Sequence, residues 1–278
     1  MRKRSFATLA LLAVSSSVFA FADAVTLNTN ANQLATAVTA GNTGVTIVSA
    51  ILQGQSQDAN TASTGTFTNI YGLASGAVMS TGNAAEYGSG PSDPTNNTTA
   101  YGTGATIAQD ALLDPLTNGN LAHYDVTELD LTFTVDPGVS QIFFNVAFGS
   151  EEFPEFVGSQ FVDAFGLYLN GTNIAFVDGQ PVNIDNTCFT SNVTGTQLNG
   201  VLACNNNPVN TFSGAVTSGL NTLTFIISDT SDANLDTTAY IGALGPTDMG
   251  TTPEPSSIAL FGTGLLVAAV AMRRRLIR

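Results

Sequence analysis

The sequence has very few basic residues. It contains seven Lys and Arg against 21 Asp and Glu, and none of the seven lies between Val25 and Met272. Since 20 of the acids lie in that region, it carries a charge of about −20 when all are ionised and has no side chains that can neutralise phosphates. This excludes a nucleic-acid partner. An acidic polysaccharide would also be repelled unless a divalent cation bridged the two.

The residues that usually build enzyme clefts are scarce as well. There is no Trp, and His123 is the single His. A glycosidase needs two carboxylates about 5–10 Å apart, and Glu151 or Glu152 opposite Asp229 would supply them. Sugar-processing clefts, however, usually hold their substrates with Trp, Arg or Lys. His123 has no evident nucleophile partner, and no Ser lies in a nucleophile elbow. These absences favour a protein that is not an enzyme.

The basic residues that do exist mark the two ends of the chain. At the N-terminus, Arg2, Lys3 and Arg4 precede the apolar run Phe6–Val14 and a small-residue cleavage site at Ala22-Asp23-Ala24, with Ala20-Phe21-Ala22 as the alternative site. This three-part order is typical of a secretory signal peptide, which we assign to residues 1–24. It predicts export through the inner membrane by the secretion machinery.

The C-terminus, residues 249–278, has a second three-part order. Pro-Glu-Pro is followed by an uncharged run over 256–272 and then by arginines. The run has 17 residues, near the lower limit for a membrane-spanning helix, and the arginines should stay in the cytoplasm. A permanent anchor is one interpretation. The order also resembles the PEP-CTERM sorting signal, which implies recognition by an exosortase and transient residence in the membrane. We favour the sorting signal, carried by Pro253, Glu254, Pro255, Arg273, Arg274 and Arg275.

The chain has two cysteines, Cys188 and Cys204, separated by 16 positions. In an oxidising exported location two cysteines most simply form one disulfide. A metal site is the weaker alternative because no His or third Cys lies nearby.

Alternation of apolar and polar residues predicts an all-β fold. Residues 126–148 alternate on both sides of Asp136-Pro137-Gly138, which predicts a hairpin. Short helices are expected over 33–39 and 106–113. We therefore predict an antiparallel β-sandwich, jelly-roll-like, over residues 25–248, with one or two short helices. Other strands are predicted over 45–52, 76–80, 165–169, 174–177, around Phe225 and over 239–244.

Two acidic segments directly follow predicted strands, at 149–163 and 228–236. Carboxylates without cationic neighbours must be solvated, protonated or metal-bound where they cluster. Closely spaced carboxylates are typical Ca²⁺ ligands, but this spacing is not that of an EF-hand. Both a Ca²⁺ site and a solvated acidic surface therefore remain open. The candidate ligands are Glu151, Glu152, Glu155, Asp163, Asp229, Asp232 and Asp236.

Four motifs follow one another along the body: Val78–Ala84, Phe148–Phe156, Asp163–Gly171 and Ile227–Asp236. Together they resemble the choice-of-anchor L domain, whose members end in different sorting or anchoring signals. The resemblance covers about Gln33–Leu244 and implies a surface β-sandwich. It does not supply a catalytic mechanism. In this chain Phe153 and Phe156 stand where family members more often have Tyr, which preserves packing but removes two hydroxyls.

These features predict a non-enzymatic protein of the cell surface or the extracellular biofilm matrix. An acidic surface would associate with exopolysaccharide through divalent cations, and Ca²⁺ would stabilise the fold. The competing hypothesis is a Ca²⁺-dependent lectin or glycan hydrolase that uses the same acidic segments.

Overall fold

The structure is a computed structural model that describes residues 24–40, 42–87, 98–192 and 202–247. The chain from Ala22 to Thr252 forms one compact unit. Except for Ala24, the predicted signal peptide lies outside the described residues, as does the predicted tail with its helix over 256–272. Among the residues that are described, no helix is both long and apolar enough to cross a membrane.

The described part of the chain is built mostly from short strands. In chain order the elements are β1 (Ala24–Leu27), α1 (Ala31–Val38), β2 (Val45–Gln53), β3 (Ser56–Asp58), β4 (Thr61–Ala62), β5 (Thr64–Ile70), β6 (Leu73–Ser80), a 3-10 helix (Ala84–Tyr87), α2 (Ile107–Leu113), β7 (His123–Val135), β8 (Gln141–Ser150), β9 (Ala164–Leu169), β10 (Thr172–Asn173), β11 (Phe176–Val177), β12 (Gln180–Asn183), β13 (Phe189–Asn192), β14 (Leu202–Cys204), β15 (Val209–Ala215), β16 (Asn221–Thr230) and β17 (Thr237–Gly245).

Two antiparallel sheets enclose the main hydrophobic core. The first has the strand order β1-β5-β6-β17-β8-β15, and the second has the order β11-β12-β9-β16-β7-β2 with β10 beside β9. Apolar side chains from both sheets meet between them, as in the edge-to-face contact of Phe144 with Phe225, whose ring centroids are 5.9 Å apart. The all-β sandwich predicted from the sequence is confirmed.

The predicted hairpin over 126–148 is wrong. β7 pairs with β2 and β16 in the second sheet, whereas β8 pairs with β15 and β17 in the first. The turn at Asp136-Pro137-Gly138 therefore carries the chain from one sheet to the other. The apolar faces of both strands, including Leu131 and Phe144, lie in the same core cluster. The two strands thus contribute to one core from opposite sheets.

Both predicted helices are present with small shifts in their limits. The side chain of Asn30 caps α1 by accepting hydrogen bonds from the backbone N–H groups of Asn32 and Gln33. Thr106 and Gln109 form a capping box at the start of α2. α1 packs on the main core, and α2 covers a smaller apolar cluster on the outer face of the second sheet.

Cys188 and Cys204 form the predicted disulfide, with their Cα atoms 5.1 Å apart. The bond ties together the two-stranded sheet formed by β13 and β14. Phe189 of this small sheet is buried in the main core. The disulfide therefore fixes a segment that contributes an aromatic side chain to the sandwich interior.

Replacing both cysteines with serine is expected to lower the free energy of unfolding by about 3 kcal/mol, because the 16-residue loop then regains its freedom in the unfolded chain. Urea unfolding of the oxidised protein and the double variant measures the difference. Reduced wild-type protein serves as the control and should match the variant. Equal urea midpoints for the oxidised protein and the variant would show that the disulfide adds no stability.

Candidate functional site: a buried acidic centre

The two acidic segments meet at one end of the sandwich. β8 ends at Ser150, which pairs with Thr237 at the start of β17. In the other sheet Ser228 of β16 pairs with Ala164 at the start of β9. The loops after β8 and β16 therefore converge, because antiparallel neighbours end and begin at the same edge of a sheet.

Asp163 lies at the middle of this region and is fully buried. Its Oδ1 accepts a hydrogen bond of 2.9 Å from the backbone N–H of Thr230. Its Oδ2 accepts one of 2.6 Å from the hydroxyl of Thr237, which belongs to the opposite sheet. Burial raises the pKa of Asp163 to about 8, although these two hydrogen bonds lower it. Asp163 thus links the two sheets at their end.

Asp229 lies beside the segment that holds Asp163. Ser228 pairs with Ala164, the residue after Asp163, and Thr230, the residue after Asp229, donates its backbone N–H to Oδ1 of Asp163. Asp229 is 2% exposed, and the Thr81 side chain donates a hydrogen bond to it. Burial holds the pKa of Asp229 well above its usual range, and the charge of Asp163 raises it further.

Asp236 serves as an anchor for other segments. Its Oδ1 accepts a hydrogen bond of 2.9 Å from the Thr99 backbone, and its Oδ2 accepts one of 3.1 Å from the Tyr87 hydroxyl. The Cα of Gly82 lies so close that an added Cβ would stand 1.7 Å from Oδ2. Burial raises the pKa of Asp236 to about 6, while the hydrogen bonds from Thr99 and Tyr87 lower it.

Glu151 and Glu152 are both buried in the loop after β8. The backbone N–H of Glu151 donates to the carbonyl of Asp236, and that of Glu152 donates to the Ser150 hydroxyl. Burial raises the pKa of Glu152 to about 9, with further contributions from the charges of Asp163 and Asp232. These backbone hydrogen bonds fix the loop in a conformation in which both glutamate side chains are buried.

The other two candidate ligands are placed differently. Glu155 is exposed to solvent and lies outside the buried group. Asp232 is half-buried, and its Oδ1 accepts a hydrogen bond of 3.1 Å from the backbone of Asn234 within its own loop. The buried acidic centre, as we use the term below, comprises Glu151, Glu152, Asp163, Asp229 and Asp236.

Hydroxyl groups from the first sheet complete the centre. The Thr237 hydroxyl lies 2.8 Å from that of Ser150, and Thr81 accepts a hydrogen bond from the Thr237 backbone. Sequence reasoning missed these residues as site residues. Two of them could have been found from the sequence, because Ser150 directly precedes Glu151 and Thr237 directly follows Asp236. The centre thus offers carboxylate and hydroxyl oxygens, which are ligands for a hard cation.

The side chains do not form a ready-made metal site. Within 24–40, 42–87, 98–192 and 202–247, no three His, Cys, Asp or Glu side chains are grouped so that they could hold a metal ion. Any cation at the centre must therefore bind fewer carboxylates together with neutral oxygens, or must draw another carboxylate closer.

His123 pairs with Thr230 at the end of β16, and its side chain contacts α2 and the segment that follows it. Its Nδ1 is 3.0 Å from Oδ1 of Asp110 in α2, and its Nε2 is 3.4 Å from the Thr117 hydroxyl. Both His123 and Thr117 are buried, and the Thr117 hydroxyl also donates to the carbonyl of Gly119. This arrangement ties α2 to the start of β7.

Comparison with known families agrees with this architecture. The family model of the choice-of-anchor L domain matches residues 23–244, and the chain belongs to that family. The model of the PEP-CTERM protein-sorting motif matches residues 251–275. No curated protein and no solved structure matches the chain.

The sorting motif establishes the destination of the protein. It marks an exported protein of the cell surface that an exosortase recognises. The match to this motif confirms the predictions of export and of recognition by an exosortase. The motif lies outside the described residues, so this conclusion comes from the sequence match.

Proposed function

We propose that the protein is a non-enzymatic component of the cell surface or of the extracellular polysaccharide matrix. The observation that carries the proposal is the burial of the acidic centre. Asp163 is 0% exposed and Asp229 2%, so a polymeric substrate cannot reach them. The carboxylates that the glycosidase hypothesis needs therefore lie inside the protein.

Two surface clefts support the same conclusion. One, of about 400 Å³, contains Asp58 as its single carboxylate. The other, of about 220 Å³, is lined by amide side chains and contains Asp185 alone. Neither holds the pair of carboxylates that glycoside hydrolysis requires. The Asp185 carboxylate also accepts hydrogen bonds from Asn118 and from the Gly158 backbone, which gives it a structural role.

The exposed acids provide a means of attachment. Glu86, Asp136, Glu155 and Asp178 lie on the surface, and residues 25–272 contain no Lys or Arg. A divalent cation can join such carboxylates to the acidic groups of a polysaccharide, because direct contact between the two would be repulsive. The proposed matrix association is therefore cation-dependent and electrostatic.

We expect the protein to sediment with a gelled anionic polysaccharide, such as alginate, in Ca²⁺ and to remain in solution in chelator. Cross-linked dextran, which is neutral, is the control and should bind none of it. Equal binding to both polymers, or binding in chelator, would contradict the proposal and favour the lectin alternative. Release of reducing sugar from the polymer would favour the hydrolase.

We also infer that the tail holds the protein in the inner membrane before processing. The uncharged run over 256–272 and the arginines after it support this step. In a host with an exosortase, the cell-surface protein should have lost residues after the Pro-Glu-Pro motif, as mass spectrometry of its C-terminus will show. Retention of the complete tail would favour the permanent anchor.

A further inference from the structure

The buried acidic centre places like charges together without a basic side chain. Asp163 directly precedes β9, Asp229 lies in the paired strand β16, and both are buried, so that ionising both would bring like charges together in the interior. The single basic candidate within residues 25–272, His123, contacts Asp110 on α2 instead. Neutralisation must therefore come from outside the chain, by protons or by a bound cation.

Two oxygens in the centre lack partners. Oδ1 of Asp229 and Oε2 of Glu152 are buried and accept no hydrogen bond from the described residues. Both residues are 2% exposed. Asp163 joins the two segments that carry them: it accepts hydrogen bonds from the backbone of Thr230, which follows Asp229, and from the hydroxyl of Thr237, which lies 2.8 Å from that of Ser150. A buried carboxylate oxygen without a partner is costly, so each of these oxygens requires a proton, a water molecule or a cation in the functional protein.

We propose that one Ca²⁺ ion binds at Asp163, between the unpartnered oxygens of Asp229 and Glu152, and joins the ends of the two sheets. The ligand atoms are all hard oxygens, and the hydroxyls of Thr237 in β17 and of Thr81, which directly follows β6, add neutral ones. This chemistry suits Ca²⁺ and disfavours the transition metals, which prefer nitrogen or sulfur.

Binding requires a side-chain movement, because the centre has no ready-made group of three metal ligands among the described residues. Glu152 is the residue that can supply it. It follows the last residue of β8 by two positions and lies in a loop, whereas Asp229 belongs to β16. A site completed by a loop should bind weakly, with a dissociation constant on the order of 0.1–1 mM, as in extracellular calcium modules.

This inference is independent of the matrix association, which uses exposed acids. The domain over residues 22–252 is suitable for the test because it forms a compact unit with its own core. Its melting temperature is measured in chelator and in Ca²⁺ at about 100 times the dissociation constant. We expect Ca²⁺ to raise it by about 5–10 °C.

The variants Asp229→Asn and Glu152→Gln should lose most of this increase, and Asp163→Asn should lose all of it. Asp178→Asn is the matched control, since it removes an exposed carboxylate from the turn between β11 and β12 and should keep the full increase. In chelator, Asp229→Asn should melt no lower than wild type, because it removes a buried like charge.

Three results would overturn the proposal. The first is a wild-type melting temperature that does not respond to Ca²⁺, which would assign neutralisation of the centre to protons. The second is an equal response in Asp229→Asn, Glu152→Gln and wild type, which would place the ion elsewhere. The third is loss of the response in Asp178→Asn, which would indicate binding by surface acids. Loss of alginate binding with an intact calcium response would instead reject the proposed function alone.

Discussion

Replacing Gly82 with alanine is expected to destabilise the domain by about 3 kcal/mol, the upper part of the range for overpacked interiors. The added Cβ would lie 1.7 Å from Oδ2 and 2.0 Å from Cγ of Asp236. Asp236 is buried and fixed by hydrogen bonds from Thr99 and Tyr87, so it cannot move without breaking them. Chemical denaturation of the variant and wild type measures the loss.

Gly104→Ala provides the matched control. A Cβ at Gly104 would meet nothing within 4 Å, and the residue has no positive φ. The substitution should change the free energy of unfolding by less than about 0.5 kcal/mol. Equal unfolding midpoints for Gly82→Ala and Gly104→Ala would show that Asp236 does not fix this end of the sandwich.

In chelator, the stability of the domain is expected to fall as the pH rises from about 4 to about 9. Burial raises the pKa of Asp236 to about 6, of Asp163 to about 8 and of Glu152 to about 9 in the folded protein. Between the ordinary and the raised pKa of each group, the folded state binds more protons than the unfolded state. The stabilisation is therefore complete below the ordinary pKa values and is lost as the pH passes the raised ones.

Each retained proton changes the unfolding equilibrium about tenfold per pH unit, so the effect on the melting temperature should be large. Saturating Ca²⁺ should flatten the dependence, because the cation replaces the protons. Asp229→Asn should show a shallower fall than wild type in chelator. A melting temperature in chelator that is constant, or that rises between pH 5 and pH 9, would contradict the burial of ionisable carboxylates in this centre.

Much of the fold was predictable because apolar alternation reports which face of a strand is buried. The strands over 165–169 and around Phe225 followed from local patterns, and both are present. The error at 126–148 has a physical cause. Alternation shows that Leu131 and Phe144 face a core, but it does not show whether their strands lie side by side or on opposite sides of it.

The candidate site was predictable only in part. The position of acids after strands indicated which residues gather at one end of the sandwich. It did not separate buried Glu152 from exposed Glu155, because both lie in the same loop and only tertiary contacts decide their burial. Thr81 follows β6 and Thr237 begins β17, so the two hydroxyls are far apart in the sequence and their convergence on Asp163 and Asp229 appears only in the folded chain.

The central claim is that a cation neutralises the buried acidic centre. Native mass spectrometry of the domain, prepared in Ca²⁺ and transferred to a volatile buffer with submillimolar Ca²⁺, tests it most directly. We predict that wild type and Asp178→Asn each show a population that carries one Ca²⁺ ion. The Asp163→Asn variant should show no such population. Wild-type protein without bound Ca²⁺, or Asp163→Asn protein that still carries one ion, would contradict the account.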